Sequence, residues 1–176
     1  MILSDIEIRE MISNDLLKIT PLEEHQIQPA SVDIRLDDTF CIPEDNASGI
    51  IELDQEISYK KIKSDEYVLL PGQFVLGSTI EYFNLPNNLT AFVEGRSTYG
   101  RLGLFVQNAG WVDPGFKGTI TLELFNASRH AIRLKAGKRV GQLVFAKMEK
   151  GATNPYVGKY QGQVGATGSR VHLDKD

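Results

Sequence analysis

Ser4 followed three residues later by Glu7 makes a capping-box pattern, and Ile8, Met11 and Ile12 recur behind it at helical spacing. A short helix is predicted over residues 4–13. Beyond it the period of the apolar positions drops to two, in short runs at 31–36, 67–70, 74–82, 89–94, 118–125, 131–134 and 139–147. Turn signals separate them: Leu70-Pro71-Gly72, Leu85-Pro86-Asn87-Asn88, Asp113-Pro114-Gly115 and Lys135-Ala136-Gly137. Many short strands with almost no helix predict an all-β fold, an antiparallel sandwich or closed barrel.

Composition narrows this picture. At 176 residues and 41% apolar content the chain supports one core rather than two. Residues 1–150 form the expected barrel with its N-terminal helix, and residues 151–176 a glycine-rich tail on the same domain. That tail holds few large apolar groups, so it is expected to be mobile unless a ligand orders it beneath Tyr156, Lys159, Tyr160, Gln161 and Gln163.

Charge and candidate metal ligands exclude several classes. With 23 acidic against 19 basic residues and a net charge of -4, the chain lacks the global basicity of a sequence-independent nucleic-acid binder. No run approaches the roughly 18 apolar residues of a membrane span, and Met1-Ile2-Leu3-Ser4-Asp5 does not read as an export signal. A cytoplasmic protein is expected, with no nucleic-acid or membrane partner. The single Cys41 excludes an intramolecular disulfide, and Cys41 with His25, His130 and His172 has no metal-ligand spacing, so no zinc is expected. Cys41 is expected as a buried thiol and His130 as a solvated turn residue.

Four places could carry chemistry. The run Glu94-Gly95-Arg96-Ser97-Thr98-Tyr99-Gly100-Arg101 leaves a strand and gathers guanidinium groups, hydroxyls and backbone N–H groups into one loop, a plausible phosphate cradle or a plain surface loop. In 118–125, Ile120, Leu122 and Leu124 share one face and Thr121, Glu123 and Phe125 the other. Glu123 is therefore either a solvent-facing strand residue or a general base in a partly dry pocket, with Arg96 and Arg101 as candidate counter-cations. Asp113 is held extended before Pro114 at a strand entrance. Asp33, alternating with Val32 and Ile34, is expected on the surface.

In order, Ser31-Val32-Asp33, Gly95-Arg96-Ser97-Thr98, Asp113-Pro114-Gly115-Phe116-Lys117-Gly118 leading to Leu122-Glu123, Gly137-Lys138-Arg139-Val140-Gly141-Gln142-Leu143 and Lys159-Tyr160-Gln161 resemble the dCTP deaminase family of the trimeric dUTPase superfamily. The resemblance runs over essentially the whole chain. It implies a distorted jelly-roll, dUTPase-like β-barrel, a homotrimer with sites between subunits, and deamination of dCTP without zinc. It casts Glu123 as the general base at C4 of cytosine, with Ser97 and Arg101 around the water and Asp113 facing the deoxyribose. Arg96, Ser97, Thr98, Gln142, Tyr156, Lys159 and Gln163 would contact the triphosphate and its magnesium, with Tyr99, Gly100, Thr121 and Leu122 completing the binding surface.

Ala109-Gly110-Trp111-Val112-Asp113 is similar to the branch that continues to dUMP and pyrophosphate, whereas members that stop at dUTP tend to carry a basic pair there. In that branch Asp113 would aim a water at the α-phosphorus and Asp33 would hold hydrated magnesium. Many members have His-x-Thr-Ala where this chain reads Gln107-Asn108-Ala109, one residue shorter, so the feedback inhibition by dTTP tied to that segment is not implied. Three alternatives stay open: a deaminase releasing dUTP, a dUTPase that takes only dUTP, and a catalytically silent regulatory module.

Overall fold

The computed structural model describes residues 1–44, 48–106 and 110–174. Its helix α1 (Asp5–Ser13) starts where the sequence places it. Glu7 N donates to Ser4 Oγ at 3.4 Å and Ser4 N to Glu7 Oε2 at 2.9 Å, closing the capping box, while Ile8 is fully buried. Such a cap contributes about 1 kcal/mol. No helix among the described residues is long and apolar enough to cross a membrane.

The rest is antiparallel β-structure in two packed layers. One sheet runs β5 (Tyr59–Lys63), β4 (Thr39–Pro43), β7 (Phe74–Asn84), β11 (Lys117–Asn126), β9 (Leu104–Val106), with β1 (Lys18–Thr20) also on β7. The other runs β10 (Trp111–Val112), β8 (Leu89–Gly95), β13 (Arg139–Lys147), β3 (Ser31–Arg35), β2 (Ile27–Gln28); β6 (Glu66–Leu69) pairs with β12 (Ile132–Lys135). Between the layers lie Val32, Ile34, Phe40, Phe83, Leu122 and Phe145, all buried. This is the antiparallel all-β fold that the alternating runs predicted, in the distorted jelly-roll form that the family resemblance implied. Each of the seven expected strands is present, and the shorter β1, β2, β4, β5, β9 and β10 join them.

Two expectations need correction. The segment after β8 is not a loop: Ser97–Gly100 forms a turn of helix, α2, with Arg96 at its N-cap. Asp33 does not face solvent. It is 2% exposed, because β2 and β13 flank β3 and a buried polar cluster covers its other face. In that cluster Glu81 accepts from Arg35 Nε at 2.7 Å, Arg35 N at 2.9 Å and Gln26 Nε2 at 2.8 Å, and Gln26 Nε2 also reaches the Asp33 carbonyl at 2.8 Å. Those donors offset the cost of burying a carboxylate.

The tail lies against the barrel through hydrogen bonds. Gly162 N donates to Lys117 O at 2.7 Å, Thr119 N to Gln163 O at 2.9 Å, Ala166 N to Thr39 Oγ1 at 3.0 Å and Thr167 N to Thr121 Oγ1 at 3.2 Å. Gly118 sits at φ +149°, and a Cβ there would lie 2.9 Å from Gln163 O, so glycine suits this contact with the tail. Cys41 is buried as expected, its Sγ donating to Ala166 O at 3.1 Å beneath the tail, and burial pushes its thiol pKa up.

Candidate functional site

The alternation of β11 decides where Glu123 goes. Ile120, Leu122 and Leu124 turn into the core, so Thr121 and Glu123 must face outward, and the register slips between Thr119↔Tyr82 and Thr121↔Ser78 as β7 bulges. Outward here means into a cavity of about 780 Å³ that the tail walls over. Thr121, Leu122, Glu123 and Asp113 line it from the barrel, and Tyr156, Lys159 and Gln163 from the tail. The volume falls within the usual range for a small-molecule site.

Glu123 is half-buried, and burial alone raises its carboxyl pKa. Among the described residues no cation offsets that rise, and Arg96 and Arg101 do not line this cavity. A carboxylate held above its ordinary range by a dry pocket is suited to taking a proton near neutral pH. Asp113 is exposed at the cavity mouth, where the turn carrying Gly115 (φ +84°) lies against Pro155 and Tyr156 N donates to Pro114 O at 2.8 Å.

On the tail, Lys159 Nζ is 2.5 Å from Asp174 Oδ1, and both line the cavity. Gln163 Nε2 donates to Thr119 O at 2.9 Å, while its buried Oε1 has no partner among the described residues. Gln163 keeps its second Nε2–H as a donor and Oε1 as an acceptor, so it can meet a phosphate oxygen or a ligand donor.

The remaining candidates lie apart from these. Arg96, Ser97 and Gly100 line a second, smaller cleft of about 280 Å³ with Leu104, Phe105 and Val106. Thr98 and Arg101 are exposed beside it, and Tyr99 packs against the core. Gln142, on β13, does not line this cleft; its Oε1 accepts from Ser31 Oγ at 2.8 Å, leaving the amide N–H groups as donors. A turn of helix that aims hydroxyls, guanidinium groups and backbone N–H groups at one cleft is made for an anion.

Asp33 stands behind Arg96, its Oδ1 3.5 Å from Arg96 Nε and its Oδ2 3.0 Å from Arg139 Nη1. The two guanidinium groups take the place of the open face that a hydrated magnesium would need. Among the described residues no three His, Cys, Asp or Glu side chains converge on a point that could hold a metal ion. The donors fit a cation that arrives on a polyphosphate, not a resident one.

Trp111 and Asp174 line the large cavity unforeseen as site residues. Trp111, 61% exposed, packs edge-on against Phe92 with ring centroids 4.6 Å apart. Its place beside Gly110 and before Asp113 was the available signal. Nothing in the sequence around Asp174 marks it. The segment Gln107-Asn108-Ala109 lies outside the described residues.

Comparison with known proteins gives the same grouping. A family described as dCTP deaminase-like matches residues 2–148. A protein of Persephonella marina named dCTP deaminase, dUMP-forming, is 54% identical over 180 residues, covering 100% of both chains. The crystal structure of 2'-deoxycytidine 5'-triphosphate deaminase from Agrobacterium tumefaciens superposes with a TM-score of 0.64 at 25% identity, over 82% of this chain and 47% of that one. The native EIAV dUTPase shares the fold, with a TM-score of 0.51 at 19% identity over 81% and 96% of the two chains.

Proposed function

We propose, for a chain that belongs to the dCTP deaminase-like family, that it converts dCTP to dUMP in two hydrolytic steps at one site. The observation that carries this is Glu123: an acid with no cationic partner among the described residues, raised by burial, at the wall of a nucleotide-sized cavity. A uracil-only site has no need of a carboxylate there, since the keto group at C4 leaves no amine to expel.

In the first step Glu123 takes a proton from water as the water oxygen bonds to C4. The tetrahedral carbon then carries hydroxyl and amine together. Glu123 passes that proton to N3, which took the electrons of the C4=N3 bond as water added, then moves the hydroxyl proton to the amine; the C4=O bond forms as the C4–N bond breaks, and ammonia leaves with dUTP as the other product. In the second step Asp113 aligns a water on the α-phosphorus, the bond to the bridging oxygen breaks, and pyrophosphate and dUMP separate. Arg96, Thr98 and Gln142 would hold the triphosphate with its magnesium, and the metal would supply charge neutralisation on the phosphate oxygens.

The site is completed by a second copy. One subunit keeps Glu123 in the cavity and Arg96, Ser97 and Arg101 by the other cleft, and the two meet only at Val106. Exposed Phe74 and Trp111 rim the cavity and exposed Phe105 the cleft, apolar surface that suits cover by another protomer. A closed homotrimer would meet this need, each Glu123 receiving Ser97 and Arg101 from its neighbour. Arg101 would then keep Glu123 ionised while Arg96, Thr98 and Gln142 take the phosphates. A free nucleotide substrate places the reaction in the cytoplasm. Measuring ammonia release from dCTP, CTP and deoxycytidine tests the reading: release is expected from dCTP alone, and equal release from deoxycytidine would remove the phosphate cleft from the site.

A further inference from the structure

Arg139 takes no part in the steps above, yet it is the nearer of the two guanidinium groups on Asp33. Its Nη1 lies 3.0 Å from Asp33 Oδ2 and 3.2 Å from the His25 carbonyl, and the register shift between Arg139 and Gly141 turns this end of β13 toward β3. Arg96 is held at three points, all of which lead back to the same place. Its Nε is 3.5 Å from Asp33 Oδ1, its Nη1 donates to Arg139 O at 3.1 Å, and its N donates to Val140 O at 3.4 Å.

A carboxylate with one guanidinium partner forms a bidentate, neutral pair. Asp33, only 2% exposed, has that option with Arg96 unless something occupies its second oxygen. Arg139 occupies it. The three groups together keep one net positive charge, and Arg96 touches Asp33 through Nε alone, so its far edge stays directed at the small cleft with Ser97.

We propose that Arg139 is a positioning residue for phosphate recognition, sharing Asp33 so that Arg96 is neither neutralised nor drawn inward from the cleft. This rests on the reading that Arg96 meets the triphosphate. Without Arg139, Asp33 closes on Arg96 and the cleft loses its anion-facing edge. Lysine at 139 restores the charge on Oδ2 but not the second hydrogen bond to His25 O.

The test is a cycle of Arg139→Gln, Arg96→Gln and the double variant, with Arg139→Lys beside them. KM and kcat for dCTP, the Kd for inorganic tripolyphosphate by calorimetry, and Tm are measured for each. Arg139→Gln is expected to weaken tripolyphosphate binding and raise KM about tenfold, the loss typical when a charged hydrogen-bonding group is misplaced, with a smaller fall in kcat. Arg139→Lys recovers part of it, and the double variant binds no worse than Arg96→Gln alone. Additive losses would make Arg139 an independent contact and overturn the inference, as would a lowered Tm with unchanged tripolyphosphate affinity. If Arg139→Gln does not fold, Arg139→Lys decides by the same readouts. A wild-type protein that binds neither dCTP nor tripolyphosphate overturns the functional reading, and the inference with it; one that binds both beside an unaffected Arg139→Gln overturns the inference alone.

Discussion

The carboxylate of Asp174 holds the ammonium of Lys159 at 2.5 Å inside the cavity that Glu123 lines. Asp174 is also the leading reason that the Lys159 pKa is raised. Lysine is the tail's expected phosphate contact, so an incoming triphosphate has to displace this internal anion. Asp174→Asn should lower KM for dCTP, by no more than about fivefold because the pair is accessible to solvent and screened. An unchanged or higher KM would show that Lys159 does not meet the phosphates.

Glu123→Gln should reduce ammonia release from dCTP by roughly 10² to 10⁴ while leaving dUTP cleavage at Asp113 in place. Deamination at near wild-type rate in a folded variant would remove Glu123 from its role.

The same residue makes a stability prediction of opposite direction. Burial raises its folded-state pKa above the unfolded value, so the folded protein binds the Glu123 proton more tightly. Stability from this group is full below the unfolded pKa and is lost as pH rises through the folded one. In the Arg101→Ala background, where no neighbouring guanidinium offsets burial, adding Glu123→Gln should therefore raise Tm slightly at neutral pH, and the gain should vanish below about pH 4, where both forms are neutral. A drop in Tm at pH 7 would mean that a cation in the assembled protein more than offsets the burial.

If each site takes Glu123 from one protomer and Arg101 from another, two inactive variants should rescue each other. Co-expressing Glu123→Gln with Arg101→Ala is expected to yield mixed oligomers that release ammonia, since some sites receive both native side chains. No recovery in verified mixed oligomers would put both residues in the same subunit's site.

How far the sequence carried differs from residue to residue. β11 is legible because one of its faces is core, so Ile120, Leu122 and Leu124 mark the period and Glu123 falls on the other face. β5 is not, because Ile62 stands among Lys60, Lys61 and Lys63 on an edge strand. Asp33 misleads for a related reason: alternation assumes one wet face, and β3 has none once Gln26 and Glu81 cover it. The tail's place on the barrel is set by hydrogen bonds to Lys117, Thr119 and the Thr39 hydroxyl, and composition does not encode those. The cation expected beside Glu123 was a matter of chain order, which does not say which subunit supplies it.

The most direct test of the whole account is to incubate the protein with dCTP and magnesium and identify every product over time. The account predicts ammonia, dUMP and pyrophosphate in equal amounts. Accumulation of dUTP would contradict the second step and leave a deaminase that stops there, and dCTP unchanged while added dUTP is cleaved would contradict the role of Glu123 altogether.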